Sequence, residues 1–255
     1  MESFLLSLNP ALTTGNFILL LTVALIIGMA KAGLSGFGLA MVPIMALIFG
    51  AKESTGVILP MLIVADIMSV IYYRKNAVWR HVIRVLPWVA IGLVIAMITG
   101  NHINSKQFRL VMMSVVWIML ILMIVNDLRK KSEGGIPDNK FFRFFIGIAG
   151  GFATMIGNAA GPVFTLYFLS MRLPKKEFIG TGAWLYLIVN TGKLPLQILA
   201  WKNITFSTLL IDLLAVPVIA MGIFTGIRIV KLLPENVYRY FVIITTLVSS
   251  VLLFL

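Results

Sequence analysis

A chain of 255 residues that is 60% hydrophobic and only 12% charged, with a mean hydropathy of +1.03, lies far outside the roughly 45–50% apolar and 25% charged composition of a soluble domain. A bilayer core about 30 Å thick takes roughly 20 apolar residues per helical crossing, so the chain reads as an all-α integral membrane protein of about eight to ten segments with no room for a soluble domain. The lack of cysteine excludes disulfides, thiolate metal sites and cysteine nucleophiles, and the net charge of +12 is dispersed, with no basic run longer than Arg129-Lys130-Lys131, which points to cytoplasmic loops and not to nucleic acid.

The stretch Met1 to Ala11 carries Glu2 and no basic residue, so no cleaved leader is expected, because a secretory signal needs a positive start. Apolar runs bounded by charged or turn residues then give ten segments. Five fall in a first half, residues 17–126: Phe17 to Ala30, Leu34 to Phe49, Gly56 to Tyr73, Val82 to Gly100 and Phe108 to Asn126. A polar linker, Asp127 to Lys140, is expected to join the halves. The second half, residues 141–255, holds Phe141 to Met155, Ala159 to Met171, Phe178 to Trp201, Phe206 to Ile227 and Val237 to Leu255. The first two segments of each half run to only 13–16 residues, short for a crossing at about 1.5 Å of rise per residue, and read as bent crossings or as hairpins. His81 and His102 fall in expected loops, which leaves no histidine cluster for a metal.

Basic residues orient the chain. Of the 21 Lys and Arg, 16 fall in the odd-numbered connections between segments and 4 in the even ones, with Lys193 inside a segment. The positive-inside rule puts the odd connections in the cytoplasm and both termini on the other side.

Two of the apolar regions are broken at matching places. The first break, Gly33 to Pro43, reads GLSGFGLAMVP and follows Lys31; the second, Gly157 to Pro162, reads GNAAGP. Val42-Pro43 aligns with Gly161-Pro162 at an offset of 119, KESTG at Lys52 to Gly56 with KEFIG at Lys176 to Gly180 at 124, and Pro87 and Gly92 with Pro217 and Gly222 at 130. With five segments per half, the halves are expected to be inverted repeats, and inverted repeats give a transporter two near-equivalent packings with a site near the midplane. If the short pairs are hairpins, their tips approach each other from opposite faces.

The GLSGFGLAMVP stretch, the Lys-Glu-x-x-Gly pattern that follows it and its repetition in the second half resemble the TauE/SafE family of membrane permeases over about Phe17 to Leu255. The resemblance implies export of a small anion, often a sulfur oxyanion or organosulfonate, across the inner membrane.

The residues expected to carry this are few. Lys31, beside Ser35 and Gly36, offers a cation and a helix start where Ser35 is placed to cap and glycine exposes backbone; the alternative is a lysine that snorkels to the interface. Lys193 lies too deep for easy snorkelling and shares a helix face with Asn190, three residues earlier; Thr191 adjoins both. Asn158 and Gly161 mirror the first break, although helix packing accounts for such small residues equally well. Asp66 aligns with Asn190 and reads either as a proton-coupling carboxylate or as the ion-pair partner of Lys31 or Lys193; Asp212 reads as structural. No cofactor, P-loop or catalytic constellation is legible, so the expected partners are a small anion and the lipid bilayer. The expected function is a secondary transporter working by alternating access, with an anion channel or an intramembrane enzyme as rival readings.

Overall fold

The computed structural model describes residues 2–104, 106–107, 110–111, 114, 117–118, 121 and 140–251, and every regular element among them is helical. In chain order these are α1 (Glu2–Leu8), α2 (Thr14–Lys31), a 3-10 helix (Ser35–Ala40), α3 (Met41–Phe49), α4 (Glu53–Tyr73), α5 (Trp79–His102), α6 (Lys140–Gly157), α7 (Gly161–Ser170), α8 (Lys175–Pro195) continued by a π-helical turn (Leu196–Trp201), α9 (Phe206–Leu232) and α10 (Glu235–Val251). The expected fifth segment is described only at scattered positions, and the linker Asp127 to Lys140 lies outside the described residues apart from Lys140.

Among the described residues, five spans are long and apolar enough to cross a bilayer: Thr14–Lys31, Glu53–Asn76, Trp79–His102, Lys140–Gly157 and Phe206–Leu232. This is a multi-pass membrane fold. Several expected boundaries shift, all for one reason: helix continues into polar residues that hydropathy marks as loop. α2 and α6 reach 18 residues each, about 27 Å of rise, so the first segment of each half is not short. At the start of α2, Thr13 accepts a hydrogen bond from Asn16 N at 3.3 Å, which ties down an orphan amide of the first turn. His81 and His102 sit in the first and last turns of α5 and not in loops. The KESTG and KEFIG stretches open α4 and α8. The second segments do remain short, one split into the 3-10 helix and α3, the other the 10-residue α7.

The break after α2 runs through Gly33, whose φ of 122° suits glycine; the break after α6 runs through Asn158, at φ 53°, a left-handed conformation that asparagine tolerates. α2 packs most extensively on α9, α5 on α6, and α4 on α8, while α10 lies along the 3-10 helix. Two of these crossings bring backbones together at glycine. A Cβ on Gly28 would strike the Ile219 carbonyl and Gly222 Cα, and one on Gly151 would strike the Val89 carbonyl. Where lipid tails leave little apolar driving force between helices, such close approach supplies the van der Waals contact that holds the bundle.

Leu213, Met221 and Phe224 of α9 and Ile83, Ile95 and Ile98 of α5 are exposed, and form apolar faces suited to lipid. α4 is mostly buried. α8 is as long as a span, but Thr181, Asn190 and Lys193 make it more polar than one; it packs on α4 inside the bundle, so its polar groups meet protein.

Candidate functional site

The C-terminus of α2 is where the site begins. A helix end leaves carbonyls without intrahelical partners. Here three hydroxyls reach them from other helices: Ser69 Oγ donates to Lys31 O at 2.7 Å, Tyr73 Oη to Ala32 O at 3.1 Å, and Tyr238 Oη to Gly33 O at 2.7 Å. The turn is thereby pinned to α4 and α10, and the side chain of Lys31 is carried inward.

Lys31 Nζ lies 2.8 Å from Asp66 Oδ1, with the lysine 12% and the aspartate 0% exposed. The same ammonium sits 4.0 Å from the centroid of the Tyr186 ring. Asn190 Nδ2 donates to Asp66 Oδ2 at 2.6 Å, so the carboxylate is held from α2 on one oxygen and from α8 on the other. Of the two ion-pair partners expected for Asp66, the structure selects Lys31.

Lys193 is fully buried, and its ammonium donates to Thr154 O and Thr154 Oγ1, each at 3.0 Å, and to Asn158 Oδ1 at 2.5 Å. Three N–H groups thus meet three neutral acceptors. That arrangement also orients Asn158, whose Nδ2 donates to Thr55 O at 3.2 Å. The Lys31–Asp66 ion pair is neutral in sum, while Lys193 meets only neutral acceptors.

A cavity of about 50 Å³ adjoins these groups. Lys31, Ser35, Thr154, Asn158, Gly161, Tyr186 and Asn190 line it, with Ile27, Leu39, Met41 and Leu62 as apolar wall. Gly161 is the first residue of α7, so the positive end of that helix faces the cavity. The two breaks meet here: a Cβ on Gly161 would lie 3.9 Å from Ser35 O. Ser35 Oγ and Asn190 Oδ1 are buried without hydrogen-bond partners.

Of the residues named from sequence, Lys31, Ser35, Asn158, Gly161 and Asn190 line the cavity, and Asp66 and Lys193 stand behind it as partners of lining residues. Thr191 is exposed and does not line it; Gly36 is buried outside the lining, where Gly38 stands instead. Ser35 makes no capping bond, since the 3-10 helix starts with Leu34 at the cap position. Asp212 is buried, with neither carboxylate oxygen hydrogen-bonded among the described residues. Sequence reading missed Thr154 and Tyr186. Tyr186 had a signal, lying four residues before Asn190 and hence on its helix face. Thr154 had none, because an isolated hydroxyl in an apolar helix usually bonds its own backbone.

The family described as sulfite exporter TauE/SafE matches this chain over residues 20–253. No curated protein matches it, and no solved structure does.

Proposed function

The chain belongs to the sulfite exporter TauE/SafE family, and from that premise we propose that it exports a small anion, a sulfite, sulfonate or related sulfur oxyanion, from a site at the Lys31 cavity by alternating access. The observation that carries this reading is the buried cluster itself. A charged group inside a bilayer is costly and marks a pathway or a coupling site. Here two lysines and one aspartate surround a cavity formed where two helix breaks meet.

In the mechanism we infer, the incoming anion takes the Lys31 ammonium, assisted by the Ser35 hydroxyl and the positive end of α7. Asp66 already holds that ammonium, so anion and carboxylate compete for it. Asp66 is released most easily when it accepts a proton, while Asn190 keeps it in place. Lys193 holds the Asn158 amide and offsets the negative charge that arrives. The cavity is compact and flanked by packed helices, which favours an occluded site over a continuous pore.

An inverted repeat supplies the two states. Supporting it, α2 packs on α9 as α6 packs on α5, the first segment of each half on the fourth of the other, while the third segments, α4 and α8, pack on each other. The Asp66–Asn190 hydrogen bond joins positions equivalent at the offset of 124. The bond from Ser69 to Lys31 O recurs as the bond from Lys193 to Thr154 O, again 124 apart on the donor side. Both termini are assigned to the non-cytoplasmic side of the inner membrane by the distribution of basic residues.

The test is flux in proteoliposomes with a panel of sulfite, thiosulfate, methanesulfonate and acetate. Saturable movement of a sulfur anion is expected, with Lys31→Gln and Lys193→Met each lowering kcat/KM by about 10-fold or more, the usual loss when a buried charged partner of a ligand is removed. Non-saturating flux, or kinetics indifferent to both substitutions, overturns the reading.

A further inference from the structure

Three cavities, beginning with the Lys31 site, are linked by shared lining residues. The first, of about 50 Å³, shares Ala30, Lys31, Ser35 and Tyr186 with a second of about 30 Å³, which Gly33, Phe168 and Phe178 also line. Phe178 is in turn a wall of a third cavity, much larger at about 320 Å³, lined also by Arg172, Lys175, Glu235, Asn236 and Arg239.

The boundary between the second and third cavities is aromatic. The rings of Phe178 and Tyr238 meet edge to face with centroids 6.0 Å apart, and both residues are buried. Phe168 packs on Phe178 in the same manner at 5.7 Å. The Tyr238 hydroxyl donates to Gly33 O, so this barrier is tied to the turn that carries Lys31.

The charges of the large cavity sort themselves. The Lys175 ammonium donates to Val230 O at 3.0 Å and Leu233 O at 2.6 Å, closing the end of α9, while the Glu235 carboxylate accepts from Lys175 N at the start of α8. Arg172, Lys175 and Arg239 against the single Glu235 leave the lining of the cavity with a net positive charge. A guanidinium presents planar, paired donors to an oxyanion, and a cleft whose lining carries net positive charge concentrates anions.

We propose that this cavity is an anion-collecting vestibule for sulfur oxyanions, and that Phe178 and Tyr238 form the gate between it and the Lys31 site. The proposal rests on the transporter reading, and on the orientation that puts Arg172, Lys175 and Arg239 in the cytoplasm, the side from which an exporter loads. The size step fits the role: the vestibule has room for a hydrated anion, whereas the two inner cavities have room for little beyond the ion, so hydration is shed at the gate.

Kinetics test the vestibule in neutral phosphatidylcholine vesicles, with methanesulfonate presented to one face at a time. Arg172→Gln/Arg239→Gln is expected to raise KM on the arginine face by about 10-fold, to leave kcat unchanged and to flatten the dependence of kcat/KM on ionic strength, as removing steering charge does. An unchanged KM, or one raised equally from both faces, overturns it. So does an effect of added anionic lipid on wild-type flux that the double substitution abolishes without moving KM, since that outcome makes the cavity a lipid-headgroup site.

The gate is tested without transport, because the chain has no cysteine. A Ser35→Cys variant is expected to react faster with a membrane-impermeant thiol reagent when Phe178→Ala, or the milder Phe178→Leu, is added. Equal rates in correctly folded variants overturn the gate. If wild-type protein moves no anion yet labelling responds to Phe178, the transporter reading fails and the access path stands; saturable transport indifferent to the arginines does the reverse.

Discussion

In the proposed mechanism, coupling turns on Asp66. Its carboxylate is fully buried and held by Lys31 and Asn190, and an anion that claims Lys31 leaves it without a cation. Removing one member of a buried pair typically costs about 3–5 kcal/mol, because the other charge is left uncompensated. Proton uptake by Asp66 would avoid that cost, so the proposed mechanism has binding take up a proton and predicts an apparent affinity that tightens as pH falls, by up to about 10-fold per pH unit for one coupled proton. Measured with methanesulfonate, which stays ionised throughout, wild-type affinity is expected to rise on acidification while Asp66→Asn is indifferent to pH. An equal slope in both would leave Asp66 as a structural partner only. At this scale the sequence was informative about charges and poor on their neighbours. A lysine or aspartate in an apolar run stands out by its cost, and Lys31, Asp66 and Lys193 did so. Thr154 and Tyr186, which bond or stack against them, look like ordinary residues of apolar helices.

At the scale of elements, the informative features are the breaks and the glycine crossings. Gly33 and Asn158 allow α2 and α6 to stop inside the bundle, so that Lys31 and the start of α7 reach one cavity. Gly28 and Gly222 let α2 and α9 touch backbone to backbone, whereas Gly192 on α8 is exposed with nothing near its Cβ position. Gly28→Val is therefore expected to lower stability by about 1–3 kcal/mol as an overpacked contact. Gly192→Ala is expected to be neutral or stabilising by about 0.4–1 kcal/mol, since alanine restricts the unfolded chain without a clash. Thermal melting in detergent checks both, and equal effects would contradict the packing described. The breaks were legible from Gly-rich runs beside charged residues. The helix ends were not, because polar first and last turns read as loop: α5 begins at Trp79 and includes His81 and His102.

At the scale of the whole molecule, the orientation rests on where the basic residues fall. A single cysteine placed in the stretch 127–139 is expected to label only from the cytoplasmic face, a clean measurement in a chain with no cysteine of its own. Labelling from the opposite face would invert the topology, and with it the side on which the vestibule loads. Hydropathy and charge count by themselves determined that this is an all-helical membrane protein, because the bilayer penalises every other arrangement of backbone and every stray charge. They also isolated the intramembrane charges Lys31, Asp66 and Lys193. Only the tertiary structure decided that Asp66 pairs with Lys31 and not with Lys193, that Lys193 is caged by neutral acceptors, and that α8 lies inside the bundle despite its polarity. Those outcomes depend on which helices cross and where their backbones approach, a property of pairs of segments distant in sequence that no single segment encodes.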